Sequence, residues 1–587
     1  MKRLPNYSLL WVSFIVFLCT GCNPASQLSV SSPDGNLCLH VETENGKLYY
    51  ELSRNGKPIL DKSRLGFILK EDTLAGHLEI TEALHHSFSG TWEQIWGEDR
   101  IVENNYHEMT IRVQKTSTPK RKFNVVFRLF NDGFGFRYEF PEQEALKDFV
   151  IMDELTEFAL TGDHKAWSIP YEAHFYEALY EASPVSKLGW VSTPLTMETN
   201  DGLFLSIHEA NLTDYAAMNL IPKEGSMTLK ANLTPWSTGE KVFMKAPGVT
   251  PWRTIPVGET LKPIVETTVA WDVVRPLYET KYDYRFGRGT WSWILWQDGS
   301  INYDDQVRYI DFAAAMGYEY ALIDNWWDTN IGRDRMKSLV EYARSKGVEL
   351  FLWYSSSGYW NDIEQGPVNH MDNAIIRKRE MKWLQSLGVK GIKVDFFGGD
   401  KQETMRLYED ILSDADDHDL MVIFHGCTIP RGWERMYPNY VGSEAVLASE
   451  NMVFNQYFCD KEAFNACLHP FIRNTVGSME FGGCFLNKRL NRNNDGGTTR
   501  RTTDIFQLAT TVLFQNPVQN FALAPNNLED VSPVCMDYMK AVPTTWNETR
   551  FIDGYPGKYV VLARRHNDTW YLAAVNAGKE IVKLKLD

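Results

Sequence analysis

The chain has 587 residues, 44% of them hydrophobic, with 19 Trp, 27 Tyr and 31 Phe, a formal net charge of −16 and a pI near 5.4. So much apolar mass excludes a disordered, collagen-like or small disulfide-scaffold protein, and at about 150 residues per domain it fills three or four domains. The acidity argues against nucleic acid or an anionic membrane as partner and suits a neutral ligand with apolar faces, such as a sugar.

Residues 1–22 read as an address. Lys2 and Arg3 precede an apolar run, Leu9 to Cys19, that is short for a membrane span, and Leu-Cys-Thr-Gly-Cys (18–22) follows. This resembles a bacterial lipoprotein signal cleaved before Cys22, whose thiol and new amine would carry acyl chains. An exported protein is therefore expected, periplasmic or anchored to the outer membrane, with that anchor as its only membrane contact. The remaining cysteines, Cys38, Cys427, Cys459, Cys467, Cys484 and Cys535, form no CxxC, so neither zinc nor a disulfide framework is indicated. Cys459 and Cys467 are the pair that an oxidising compartment could join.

From 27 to 278 the chain alternates polar and apolar residues. Asp34-Gly35, Asn45-Gly46 and Asn55-Gly56 punctuate its start as hairpin turns, and strands recur at 123–130, 134–140 and 202–210, which predicts a large N-terminal β-sandwich. From 279 to 540 the rhythm becomes strand–helix. After TWSWILW (290–296) come a helix at 307–317, a strand at 320–327, a helix at 335–347 and a strand at 348–355. A helix at 374–388, a strand at 390–397, a helical ETMRLYEDILSDADDHD and a strand at 420–426 follow. Such βαβ units predict a central (β/α)8 barrel, and no glycine-rich phosphate loop favours a doubly wound sheet. From 541 to 587 the pattern returns to β, with a hairpin at 558–577 turning on His566-Asn567-Asp568 and EIVKLKLD as a third strand. Three strands make a thin domain.

Barrel enzymes work at the C-terminal ends of their strands. Those positions hold Asp324 and Trp326, Tyr354, Lys393 and Asp395, then His425, with Glu444 and Glu450 beyond. In a strand Lys393 and Asp395 project to the same side, so the ammonium favours an ionised Asp395 and can also donate to a sugar hydroxyl. Two carboxyl groups, one ionised and one protonated, are the minimum set for glycoside hydrolysis. Glu450 and Glu444 are the candidates for the second.

Several segments, in order along the chain, resemble glycoside hydrolase family 97: WGEDR (96–100), RLFNDGFGFRYEFP (128–141), Trp167 to Pro184, HEANLTDYAAM (208–218) and TPWRTI (250–255). YIDFAAAMGY (309–318), FHGCTIPRGWERMYPNYVGSEAVLASEN (424–451) and LHPFIRNTVGSME (468–480) continue the likeness. The resemblance implies a β-supersandwich, a (β/α)8 barrel, a C-terminal β-sandwich and one calcium ion in the active site. It also implies a sorting between two branches. Inverting members carry a Glu directly after the strand-end His, where this chain has Gly426, and lack the acid that is Asp395 here. The exchange points to the retaining branch, with Asp395 as nucleophile and Glu450 as acid/base. By the same carry-over Glu177 and Glu444 are calcium ligands, and Asp324, Trp326, Lys393 and His425 bind substrate. The Glu replaced by Gly426 is a metal ligand in the inverting branch, so coordination must be completed differently here.

The expected activity is that of an exported, monomeric, retaining exo-α-glycosidase acting on an oligosaccharide or glycoside, foremost an α-galactosidase. The alternatives are an α-glucosidase, an α-L-arabinopyranosidase of the same fold, or a non-catalytic carbohydrate-binding lipoprotein. Because the family's last sandwich continues for several strands past the point matching Asp587, a partial sheet with an unpaired edge is expected there.

Overall fold

The computed structural model describes residues 27–172, 175–358 and 361–585; the address segment with Cys22 lies outside them. Asn45 and Gly46 take φ of 50° and 71°, and Asn55 and Gly56 take 50° and 76°. Two successive left-handed residues make a type I′ turn, whose twist matches that of the strands it joins. The turns link Leu37–Glu44, Lys47–Arg54 and Lys57–Leu65 into a meander within a seven-stranded sheet. A ten-stranded sheet containing Lys122–Phe130, Gly133–Phe140 and Phe204–Ala210 packs against it, and Tyr50 meets Phe136 across the gap at 5.2 Å between ring centroids.

The central sheet is parallel. Its strands run Gly287–Trp291, Tyr320–Ile323, Glu349–Ser355, Gly391–Asp395, Met421–Phe424 and Tyr440–Ser443, and Val518–Phe521 pairs back with the first. The eighth place is filled by irregular chain. Residue 480 donates its N–H to Ser443 O at 3.0 Å and Ala522 donates to Gly483 O at 3.0 Å, so the segment 479–483 bridges the gap between the two end strands. The helices Tyr303–Met316 and Ala374–Leu387 begin at the side-chain caps Asn302 and Asn373 and end at left-handed Gly317 and Gly388. The expected strand at 320–327 stops at Ile323, because Trp326 turns left-handed at φ 64° and starts a short helix, Trp327–Asn330.

At the C-terminus the strands Glu548–Tyr555, Tyr559–His566 and Thr569–Asn576 form a three-stranded antiparallel sheet that packs on the helix Asp504–Leu513. The hairpin turns at left-handed Asn567, as the sequence suggests. The third strand, however, is Glu548–Tyr555 and not the described part of EIVKLKLD, residues 580–585, whose Ile581 is 87% exposed and finds no sheet partner. Among the described residues Thr569–Asn576 therefore keeps one open edge. All six described cysteines are free thiols, Cys459 and Cys467 included.

Sandwich and barrel are joined by buried charge. Arg253 holds Glu154 with two bonds, of 3.0 and 2.5 Å, and also pairs with Glu209; Glu209 in turn accepts from Arg431 Nε at 2.7 Å. Arg431 reaches Tyr176 Oη at 3.2 Å and Asp400 at 3.4 Å, and Tyr176 donates to Asp400. The side chains of Glu154, Glu209, Arg253 and Arg431 are all but fully buried. Removing one member strands an opposite charge without water, which costs far more than an exposed pair is worth. Arg431→Met is expected to lower stability by about 3–5 kcal/mol, measured as a loss of denaturation midpoint. Arg431→Lys should recover only part of it, since a single ammonium lacks the planar fork.

Candidate active site

Trp291, Asp324 and Lys393 form one wall at the C-terminal mouth of the barrel. The Trp291 indole N–H and the Lys393 ammonium both donate to Asp324 Oδ2, at 2.7 and 3.0 Å. Lys393 Nζ also lies 4.2 Å from the Trp291 ring centroid and 3.8 Å from Asp395 Oδ2. Burial works against its charge, but Asp324 and then Asp395 outweigh that and hold its pKa above the ordinary lysine value. Asp395 ends the strand Gly391–Asp395, on the same side as Lys393. Its Oδ2 accepts from Trp353 Nε1 at 3.0 Å and its Oδ1 from the Phe396 backbone N–H at 2.8 Å. Phe396 is left-handed at φ 63°, an unusual state for a bulky residue that places the turn directly beside the carboxyl group.

Gly426 follows the neighbouring strand and lies close against Asp395. Its φ is +45°, and a Cβ there would lie 2.8 Å from Asp395 Oδ1 and 2.9 Å from the Phe396 nitrogen. A side chain at 426 would press on both the Asp395 carboxyl group and the Phe396 backbone, so one of them would have to shift.

The second cluster adjoins the first, since His425 meets the Trp291 ring edge-on at 5.8 Å between centroids. His425 Nε2 meets Glu480 at 2.6 Å and its Nδ1 meets Glu444 at 3.3 Å. Burial would drain the imidazole of its proton, yet Glu444 and the hydrogen bonds to both carboxylates hold its pKa well above the ordinary histidine range. Ligand atoms of His425, Glu444 and Glu450 all lie within 4.8 Å of one another. Burial and the Glu444 charge push the Glu450 carboxyl up to about 8, against the pull of Lys393 and His425. Glu177 joins by charge: burial, then Glu444, Glu450 and Asp395, raise its pKa well above the ordinary range. Glu444 Oε1 and Glu480 Oε1 are buried with no hydrogen-bond partner among the described residues.

The structure thus gathers Asp324, Lys393, Asp395, His425, Glu444, Glu450 and Glu177 at one mouth; Trp326, two residues past Asp324, is partly buried and is tied by its backbone N–H to Gly366 O at 2.7 Å. Tyr354 is not among them: its strand turns it outward, where its hydroxyl donates to Glu380 at 2.7 Å. Trp291, Trp353 and Glu480 escaped the sequence reading. The alternation that excludes Tyr354 points to Trp353, and Glu480 closes the quoted segment LHPFIRNTVGSME, but nothing local ties Glu480 to His425.

Three family models match the chain: Glycosyl-hydrolase 97 N-terminal over residues 30–276, Glycoside hydrolase 97 over 287–446, and Glycosyl-hydrolase 97 C-terminal, oligomerisation, over 545–587. A crystal structure of a beta-arabinopyranosidase is 62% identical, covering 95% of this chain and 92% of its own, with a TM-score of 0.92. A glycoside hydrolase family 97 enzyme from Pseudoalteromonas sp. strain K8, solved in complex with panose, is 27% identical over 93% of this chain and 89% of its own, at a TM-score of 0.83. Among curated proteins, a retaining alpha-galactosidase of Bacteroides thetaiotaomicron is 27% identical over 98% of this chain and 90% of its own. The Asp395–Gly426 contact makes a prediction. Gly426→Ala should displace the Asp395 carboxyl group and cut kcat about 10²-fold, while the melting temperature falls by only a few degrees; unchanged turnover would show that the space is not shared.

Proposed function

The chain belongs to glycoside hydrolase family 97 and is a retaining glycoside hydrolase, and on that premise we propose that it releases terminal β-L-arabinopyranose, and more slowly α-D-galactose, by double displacement at Asp395. The observation that carries the chemistry is the Asp395 carboxyl group, fixed by Trp353 and Phe396 N–H donors beside Lys393, with the space at Gly426 left open for it. Asp395 Oδ attacks the anomeric carbon while the Glu450 hydroxyl gives its proton to the glycosidic oxygen. The bond to the leaving group breaks and a glycosyl–Asp395 ester forms. Glu450, now a carboxylate, takes a proton from water, whose oxygen attacks the same carbon and frees Asp395. Two inversions give net retention. The raised pKa of Glu450 supports its role as the acid, since the group enters protonated at neutral pH. Asp324, Lys393, Trp326 and His425 are left to hold the sugar.

The substrate assignment rests on stereochemistry. β-L-Arabinopyranose has the ring configuration of α-D-galactopyranose from C1 to C4 and lacks only the hydroxymethyl group at C5. An arabinopyranosidase at 62% identity and retaining alpha-galactosidases at 27–28% therefore solve one recognition problem. The α-L anomer expected from the sequence corresponds to a β-galactoside, and β-L takes its place. Higher identity to the arabinopyranosidase supports the pentose as the preferred sugar. With p-nitrophenyl β-L-arabinopyranoside and α-D-galactopyranoside, the larger kcat/KM is expected on the former; the reverse order would reverse the assignment. Proton NMR should find the first-formed sugar in the anomeric configuration of the substrate, and the opposite anomer would sink the double displacement. Asp395→Ala should lose about 10³-fold or more in kcat, with azide restoring turnover as a glycosyl azide of inverted configuration.

Calcium is the cofactor proposed for the second cluster. Glu177 and Glu444 offer hard carboxylate oxygens, Glu444 Oε1 is orphaned, and the repulsion from Glu444 that helps raise Glu177 is what a divalent cation would relieve. The ion would orient sugar hydroxyls and add positive charge near the leaving oxygen. After chelation, added calcium should raise the melting temperature of the wild type by several degrees. Glu177→Gln and Glu444→Gln should flatten that response, and a wild type indifferent to calcium would remove the ion from the scheme.

A further inference from the structure

The site described so far grips only the sugar that is released; what holds the leaving group is unassigned. A column of aromatic rings rises from the pocket wall beside it. Trp291, 1% exposed, has its N–H on Asp324 and one face near Lys393. Trp293 stacks on it, with centroids 5.7 Å apart and planes within 16°, is half-buried, and donates its own N–H to Asp298 at 2.8 Å. Phe454 meets Trp293 edge-on at 6.0 Å and is 55% exposed. The column therefore runs from fully buried wall to open rim.

Phe454 is also tied to the acid. Glu450 caps the one-turn helix Asn451–Phe454 with helical angles, φ −56° and ψ −31°. Residues four apart on a helix share a face, so Phe454 stands on the Glu450 side of that turn. The Glu450 carboxyl must reach the glycosidic oxygen, the atom that joins the released sugar to its leaving group. A group on the same face and nearer to solvent meets what lies beyond that oxygen. We propose that Phe454, backed by Trp293, is the platform for the leaving-group sugar, stacking on its apolar face and so selecting glycosides whose leaving group is itself a pyranose. This rests on the glycosidase reading above and adds the leaving-group side of the specificity.

The test compares two substrates with the same released sugar, chosen as the one that the wild type cleaves faster. One is a disaccharide; the other is the glycosyl fluoride, whose leaving group is too small to touch the platform. Phe454→Ala is expected to reduce kcat/KM on the disaccharide about tenfold and to leave the fluoride within about twofold, while Phe454→Trp restores the disaccharide. An equal fall on both substrates would mean that the substitution disturbs Glu450 or the fold, and no fall on the disaccharide would mean that the leaving sugar sits elsewhere; either overturns the platform. A wild type that cleaves neither substrate would instead overturn the glycosidase reading, and the platform with it.

Discussion

The buried chain of charges from Glu154 through Arg253, Glu209 and Arg431 to Asp400 and Tyr176 is the constraint on which the rest of the molecule depends. Its acids and bases come from the sandwich and from the barrel, so neither part can satisfy them alone. A buried charge without its partner is costly enough to make the docking of the two parts a condition of folding and not an afterthought. Tyr176 lies one residue before Glu177, so the same network that joins the parts also sets where a sandwich loop delivers its carboxylate to the barrel mouth.

At that mouth the governing fact is an excess of negative charge. Asp324, Asp395, Glu177, Glu444, Glu450 and Glu480 crowd one end of the barrel, opposed among the groups traced above by Lys393 and His425. The two cations are divided by position: Lys393 serves the Asp324–Asp395 side, and His425 sits between Glu444 and Glu480. The imbalance, added to burial, raises the pKa of Glu177 and Glu450 above the ordinary carboxylate range.

Much of this was legible from local signals. Asn-Gly pairs announced the hairpins because few other residues tolerate two left-handed positions in succession, and the barrel helices ended where Gly317 and Gly388 said they would. The strand-end positions exposed Asp324, Lys393, Asp395 and His425 because a barrel converts sequence period into a place in space. What stayed hidden depends on distant chain. The eighth barrel place is held by an irregular segment whose partners, Ser443 and Ala522, lie some 40 residues away on either side. Glu480 meets His425 only through that segment. EIVKLKLD has the alternation of a strand, yet the sheet takes Glu548–Tyr555 instead, because a strand needs a neighbouring edge as well as a pattern.

The overlap between Asp395 and any side chain at 426 has an evolutionary consequence. A side chain gained at 426 would press on the Asp395 carboxyl group and on the Phe396 backbone, so a lineage in which Asp395 carries the proposed chemistry is held to glycine there. Residues elsewhere around the mouth are free of that restraint, and sugar preference can drift through them while the reacting carboxyl group stays where it is.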